Sequence, residues 1–187
     1  MQVYSIMSLF LFKGAIDVND FDCNITIVGL GLIGGSYAMA IKELEPRNIW
    51  GVDIDEDALS YAEAYGFIDQ GYTDPREPLA KSDLVIICLY PQDLIDFVKT
   101  NLSHFKPGAV ITDAAGIKER TLTEIMEILP DSLQFVGGHP MTGREYSGVR
   151  YAMGDLFLGA NYILTPTEKN DEASLQLVEQ LAIRIGC

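Results

Sequence analysis

The sequence predicts an α/β domain built around a doubly wound, mainly parallel sheet. Three observations carry that prediction. From residue 23 onward, short β-branched runs alternate with longer stretches of helical pattern. One run, Leu84–Leu89, is apolar throughout, as a strand covered on both faces should be. A glycine-rich turn joins the first run directly to the first helix.

Taken in order, Ile25–Val28 reads as a buried strand, followed by a small-residue helix over about 32–44. Ile49–Asp53 is the second strand, and Asp57–Tyr65 a helix favoured by Ala62 and Ala64. A short strand is expected near Ile68. Leu84–Leu89 is the central strand. Pro91 ends it and can open a helix over 92–103, because the first helical turn leaves an N–H unpaired anyway. Ala109–Asp113 is the next strand, 117–129 a helix, Leu133–Gly137 a strand and 139–158 a loop. Tyr162–Leu164 and an amphipathic helix over 168–185 close the pattern. Residues 23–187 thus form one domain. Residues 1–22 read as an irregular extension or an artefact of the assigned start.

Charge narrows the partners. The 187 residues hold 13 basic and 27 acidic side chains, a formal net charge of −14. Lys and Arg form no cluster, so neither nucleic acid nor an anionic membrane surface is an expected partner. Ser8–Phe12 is apolar, but no basic segment precedes it and no small-residue cleavage site follows. No apolar run nears the length of a bilayer, so neither a leader nor a membrane span is expected. Cys23, Cys88 and Cys187 match no metal or redox spacing, and no metal site is expected. Cys88 lies inside an apolar run and should pack as a small hydrophobe. A reducing cytoplasm fits this cysteine usage.

The turn Gly29-Leu30-Gly31-Leu32-Ile33-Gly34 follows a strand and opens a helix. In that context the three glycines serve different ends. Gly29 allows a tight turn, Gly31 lets backbone approach a pyrophosphate, and Gly34 lets helix and sheet pack closely. The phosphates would lie at the helix N-terminus, where free N–H groups and the helix dipole favour anions. Asp53 ends the second strand, 22 residues after Gly31, near the spacing of a ribose-binding carboxylate. It would repel a 2′-phosphate, and Ile54, Asp55 and Glu56 supply no cation to offset that. The expectation is a Rossmann-type domain that binds NAD rather than NADP, through Gly29, Gly31, Leu32, Ile33, Gly34 and Asp53.

Of the two histidines, His104 lies near a helix end and reads as a surface or capping residue. His139 follows an apolar strand in Gly137-Gly138-His139-Pro140-Met141-Thr142-Gly143-Arg144-Glu145-Tyr146-Ser147-Gly148. Ligands of open α/β sheets bind beyond the carboxyl ends of the strands, so His139 stands on the right edge for a proton acceptor. Position alone fits equally a histidine held structurally by Pro140.

The glycine turn with Gly35-Ser36, Asp53 and the run from His139 to Gly148 together resemble the prephenate/arogenate dehydrogenase family, over about residues 24–187. The resemblance implies NAD-dependent oxidative decarboxylation of prephenate to 4-hydroxyphenylpyruvate in tyrosine biosynthesis. By it, His139 would take the proton of the substrate 4-hydroxyl as hydride leaves. Glu145 would stand at the mouth of the site, gating entry or merely solvating the loop. Arg144 could pair with a substrate carboxylate or stay an exposed surface residue. Two departures stand out. The family commonly reads Asp-x-Gly-Ser-x-Lys after the fifth strand, whereas this chain reads Asp113-Ala114-Ala115-Gly116-Ile117-Lys118, with Gly116 at the serine. The family also has a helical second domain that makes a homodimer, and this chain stops at Ile185-Gly186-Cys187, about where that domain should begin. The expectation is therefore the nucleotide-binding part of such an enzyme, without the C-terminal helical domain. The alternatives are an arogenate or β-hydroxyacid-type dehydrogenase, or a dinucleotide-binding module without catalysis.

Overall fold

The computed structural model describes Tyr4, Ser5 and residues 21–187. Its elements in chain order are β1 (Tyr4–Ser5), β2 (Asn24–Val28), α1 (Leu32–Lys42), β3 (Asn48–Val52), α2 (Glu56–Ala64), β4 (Gln70–Tyr72), α3 (Arg76–Lys81), β5 (Leu84–Ile87), α4 (Pro91–Asn101), β6 (Val110–Asp113), α5 (Glu119–Ile128), β7 (Gln134–Pro140), β8 (Tyr162–Thr165) and α6 (Glu172–Arg184). They form one sheet in the order β1-β8-β7-β6-β5-β2-β3-β4. The six strands from β4 to β7 run parallel; β8 and β1 are added antiparallel at one edge. The mainly parallel α/β sheet expected from sequence is present.

Alternation along β5 shows how the sheet is buried. Leu84 and Ile86 belong to one core with Ile27, Tyr37, Ile41 and Leu181. Val85 and Ile87 belong to the other, with Leu94, Val98, Ile111 and Ile125. A strand with apolar partners on both faces needs no polar alternation, which is why its sequence is a continuous apolar run.

Helix starts follow local chemistry. Asp55 caps α2, its Oδ1 accepting from the Asp57 and Ala58 N–H groups at 3.0 and 3.3 Å. Asp171 caps α6 through the Ser174 N–H at 2.7 Å. Pro91 takes the first position of α4, as expected.

Two local expectations shift, and one element is added: a short helix, α3, occupies Arg76–Lys81, a stretch to which the sequence assigns no element, with Pro78 tolerated in the first helical turn. The strand expected at Ile68 lies two residues later, and Ile68 itself is buried. Strand β7 continues through His139 and Pro140, shortening the expected loop. Gly138 permits this continuation. A Cβ there would sit 2.5 Å from the Tyr162 hydroxyl and 2.8 Å from the Asp113 carbonyl oxygen.

The extension expected over 1–22 falls largely outside the described residues. Of those described, Phe21 is buried in the core, and Asp22 pairs with Arg47 at 2.9 Å.

Candidate functional site

The order β4-β3-β2-β5-β6-β7 reverses direction between β2 and β5. Their loops part at this point, leaving a crevice at the carboxyl edge of the sheet. A cleft of about 630 Å³ occupies it. Gly29, Gly31, Leu32, Ile33 and Asp53 line one side, and Cys88–Pro91, Ala114–Ile117 and Tyr146–Gly148 complete the walls. All five of these turn and carboxylate residues therefore meet in one place. Gly34, the sixth, lies just behind it.

The three glycines differ as their chemistry requires. Gly29 has φ +87°, and a Cβ on it would come within 2.8 Å of the Cys88 carbonyl oxygen. Gly31 has nothing within 4 Å of where a Cβ would point, so its side faces open cleft. A Cβ on Gly34 would overlap the carbonyl oxygen of Gly29, so the first turn of α1 can sit on the loop only without one. Helix α1 has no side-chain cap and no acidic residue in its first turn, unlike α2 and α6. An anion of suitable shape would be held there by unpaired N–H groups and the helix dipole.

Asp53 has two roles in this arrangement. Its Oδ2 accepts from the Leu30 N–H at 2.6 Å, which ties the glycine turn to the end of β3. Its Oδ1 accepts from the Asp55 N–H at 2.9 Å. An ionised carboxylate has about four acceptor sites, so two remain for a ligand's hydroxyls.

His139 is the penultimate residue of β7, paired across to Ile163 of β8. Its Nδ1 lies 3.4 Å from the Ala114 carbonyl oxygen, a long contact. Its ring lies against Gly116 of the cleft wall, where a Cβ would be 3.2 Å from Cε1 and 3.4 Å from Nε2. Gly116 and His139 are thus direct neighbours. A Gly116→Ser change gains about 0.4–1 kcal/mol by restricting the unfolded chain. Against that gain, the added Cβ must push the imidazole by a few tenths of an ångström. The expected melting temperature of G116S is within about 3 °C of the parent; a fall beyond 10 °C would show that the wall cannot accept a side chain.

Sequence reasoning missed what holds this wall. Asp113, fully buried, accepts the Lys118 ammonium at 2.5 Å, the Ala115 N–H at 3.1 Å and the Gly138 N–H at 3.1 Å. One carboxylate therefore fixes both the 114–118 loop and the residue preceding His139. Burial pushes the Asp113 carboxyl above the usual carboxylate range, opposed by Lys118 and the two N–H groups. Burial likewise pushes the Lys118 ammonium below its usual range, opposed by Asp113. The signal was present as an aspartate and lysine five apart around a loop, but only the fold shows that both are buried.

Arg144 and Glu145 are exposed, and neither lines the cleft. The Arg144 guanidinium donates to the Met153 thioether and lies 5.7 Å from the Tyr146 ring centre. Their neighbours Tyr146, Ser147 and Gly148 do reach the cleft. Cys88 lines it too, packed against the core as expected, with its thiol pushed well up by burial. A separate cavity of about 260 Å³ lies near Gln134, at the opposite end of β7, away from all these groups.

A glycine turn at the reversal point of a parallel sheet, a carboxylate at the next strand end and a histidine on the same edge define the dinucleotide-binding domain of a dehydrogenase. The model for the family "Prephenate dehydrogenase, nucleotide-binding domain" matches residues 37–187, and the chain belongs to that family. It is 38% identical over 166 residues to the prephenate dehydrogenase of Bacillus subtilis (strain 168), covering 88% of this chain and 44% of that relative. The crystal structure of prephenate dehydrogenase from A. aeolicus, in complex with hydroxyphenyl propionate and NAD+, superposes with a TM-score of 0.79 at 31% identity. That match covers 89% of this chain and 58% of the other. Synechocystis arogenate dehydrogenase gives a TM-score of 0.81 at 28% identity, over 87% of this chain and 56% of that one. The chain thus spans less than half of its curated Bacillus relative. Among the described residues no helix is long and apolar enough to cross a membrane.

Proposed function

We propose that this chain is the NAD-binding part of an enzyme of tyrosine biosynthesis that oxidatively decarboxylates prephenate to 4-hydroxyphenylpyruvate. The observation that carries the reading is the placement of His139 at the carboxyl edge of β7, its ring against the wall of the cleft that begins at the glycine turn.

NAD fits the residues present. The open side of Gly31 and the uncapped start of α1 suit its pyrophosphate, and Asp53 has acceptor capacity for the hydroxyls of a ribose. When bound, it supplies the hydride acceptor for the substrate carbon that bears the 4-hydroxyl. His139 takes the hydroxyl proton as that carbon becomes a carbonyl. Loss of carbon dioxide then drives the C–C bond pair into the ring, and the ring oxygen takes the proton back from His139 as the phenol forms. The Ala114 carbonyl is the natural acceptor for Nδ1–H, which leaves Nε2 free to act as the base. The buried Asp113–Lys118 pair keeps the loop and β7 in register, so the imidazole meets the substrate without reorganisation. Glu145 is assigned to the mouth and Arg144 to a substrate carboxylate; both are exposed on the loop that follows β7. Swinging Arg144 inward would cost only its contacts with Met153 and Tyr146.

The test is thermal unfolding with NAD and with NADP at matched concentrations. A ligand that binds only the folded state stabilises by RT ln(1 + [L]/Kd), about 2.7 kcal/mol at a hundredfold excess over Kd. For a domain of this size that is a rise of roughly 5–10 °C. NAD is expected to give it and NADP to give little, since Asp53 opposes a 2′-phosphate. A larger rise with NADP would overturn the cofactor assignment, and no rise with either would overturn the dinucleotide reading. Comparing turnover of prephenate and arogenate by the intact enzyme decides between the two substrates.

A further inference from the structure

Beside the main cleft lies a second cavity of about 270 Å³. Gly31, Asp53, Asp55 and Ala58 line one side, and Gly148 and Arg150 the other. Gly31 and Asp53 belong to both cavities, so a ligand whose phosphates sit on the turn and whose ribose meets Asp53 would extend from one into the other. Resting on the dinucleotide reading, the second cavity takes the base at the far end.

Arg150 is the unexpected member. It comes from 97 residues beyond Asp53, on a single 3-10 turn, Val149–Tyr151. Its guanidinium carbon lies 4.6 Å from the ring centre of Tyr61, a half-buried residue of α2. The turn beneath it is anchored on α1. Val149 is buried so close to Gly35 that a Cβ there would meet it at 3.2 Å, and Ser36 Oγ accepts from the Met153 N–H at 2.9 Å. A guanidinium is planar and stacks on aromatic faces, so one side of it on Tyr61 leaves the other for a flat ligand. At the same lip Ile54 is 96% exposed, an apolar side chain between two residues that line the cavity.

We propose that Arg150 is the platform on which the purine base of the bound dinucleotide stacks, forming a three-layer stack of Tyr61, guanidinium and base. A cation near a ribose-binding carboxylate could instead hold a 2′-phosphate. Here Asp53, Asp55 and Asp57 all line the same cavity, so one positive charge faces three negative ones. That field favours a neutral base over an added phosphate.

Titration calorimetry on the full chain tests this with AMP, ADP-ribose, NAD and NADP, against Arg150→Ala and Arg150→Lys. Arg150 is exposed, so both variants should fold, and an unchanged melting temperature checks it. Arg150→Ala is expected to weaken AMP, ADP-ribose and NAD alike by roughly tenfold, the scale of one lost stacking contact. Arg150→Lys keeps the charge but not the plane, and should not restore them. Unchanged affinities in Arg150→Ala would overturn the platform while leaving the dinucleotide reading intact. So would full rescue by lysine, or a loss confined to NADP, which would make Arg150 a phosphate clamp. If the unmodified chain binds none of the four, the dinucleotide reading falls and this inference with it.

Discussion

In the intact enzyme that carries this domain, His139→Asn is expected to lower kcat for prephenate oxidation by roughly 10²–10⁴-fold. Asparagine keeps a polar side chain at the end of β7 but cannot take up the hydroxyl proton. Because His139 is not among the residues that line the cleft, affinity for NAD should hold within about twofold of the parent, a change below roughly 0.5 kcal/mol. That split separates a base from a structural histidine. Loss of catalysis together with loss of NAD binding would show that β7 had collapsed, and unchanged kcat would remove His139 from the chemistry.

The second large effect concerns Lys118. Its ammonium pairs with Asp113 at 2.5 Å, with side-chain exposures of 8% and 0%. Lys118→Met should destabilise the domain by about 3–5 kcal/mol, because it leaves a buried carboxylate without its counter-charge. For a domain of this size the melting temperature falls by roughly 6–20 °C. The deficit carries a pH signature. Burial already raises the Asp113 carboxyl, and removing Lys118 raises it further. A carboxyl whose folded value lies above its unfolded one stabilises the fold when protonated and loses that contribution as pH rises. The variant should therefore fall further behind the parent as pH climbs from about 4. Adding Asp113→Asn removes the stranded charge while keeping one acceptor for the N–H groups, and should recover most of the loss. Denaturant unfolding of the two single variants and the double variant measures it. A Lys118→Met variant within about 1 kcal/mol of the parent would show that the pair contributes no net charge stabilisation.

What the sequence made legible were features set by near neighbours. The turn from Gly29 to Gly34 is a local backbone requirement, and its spacing to Asp53 follows from one strand–helix–strand unit. Strand β5 announces itself because burial on both faces demands an unbroken apolar run, and β2 and β6 through their β-branched residues. What stayed hidden depends on residues far apart. Strand β7 continues through Gly137–Pro140, residues poorly suited to strands, because β8 pairs along them, with Gly138 opposite Leu164 and His139 opposite Ile163. Nothing near His139 in the chain encodes that pairing. Asp113 is legible as a strand end and Lys118 as its neighbour in the run compared with the family, but that the two pair in the interior shows only in the fold. Arg150 is invisible as a cofactor contact because its partner Tyr61 is on another helix. Arg144 and Glu145 illustrate the reverse. Their spacing from His139 is suggestive, but the fold leaves both on the outer surface of their loop.

The chain from Ser147 to Tyr151 has a practical bearing on enzyme engineering. Asp53, Asp55 and Asp57, at and just after the end of β3, form one lip of the second cavity. In this molecule nearly half of the second cavity's lining is supplied by the peptide that follows β7 and borders the main cleft as well. Exchanging Asp53–Asp57 alone would leave Arg150 and its stack untouched. Grafting the later peptide from another dehydrogenase would alter the second cavity and the main cleft at once. One segment borders both cavities, so a library that randomises both lips together samples combinations that stepwise redesign cannot reach.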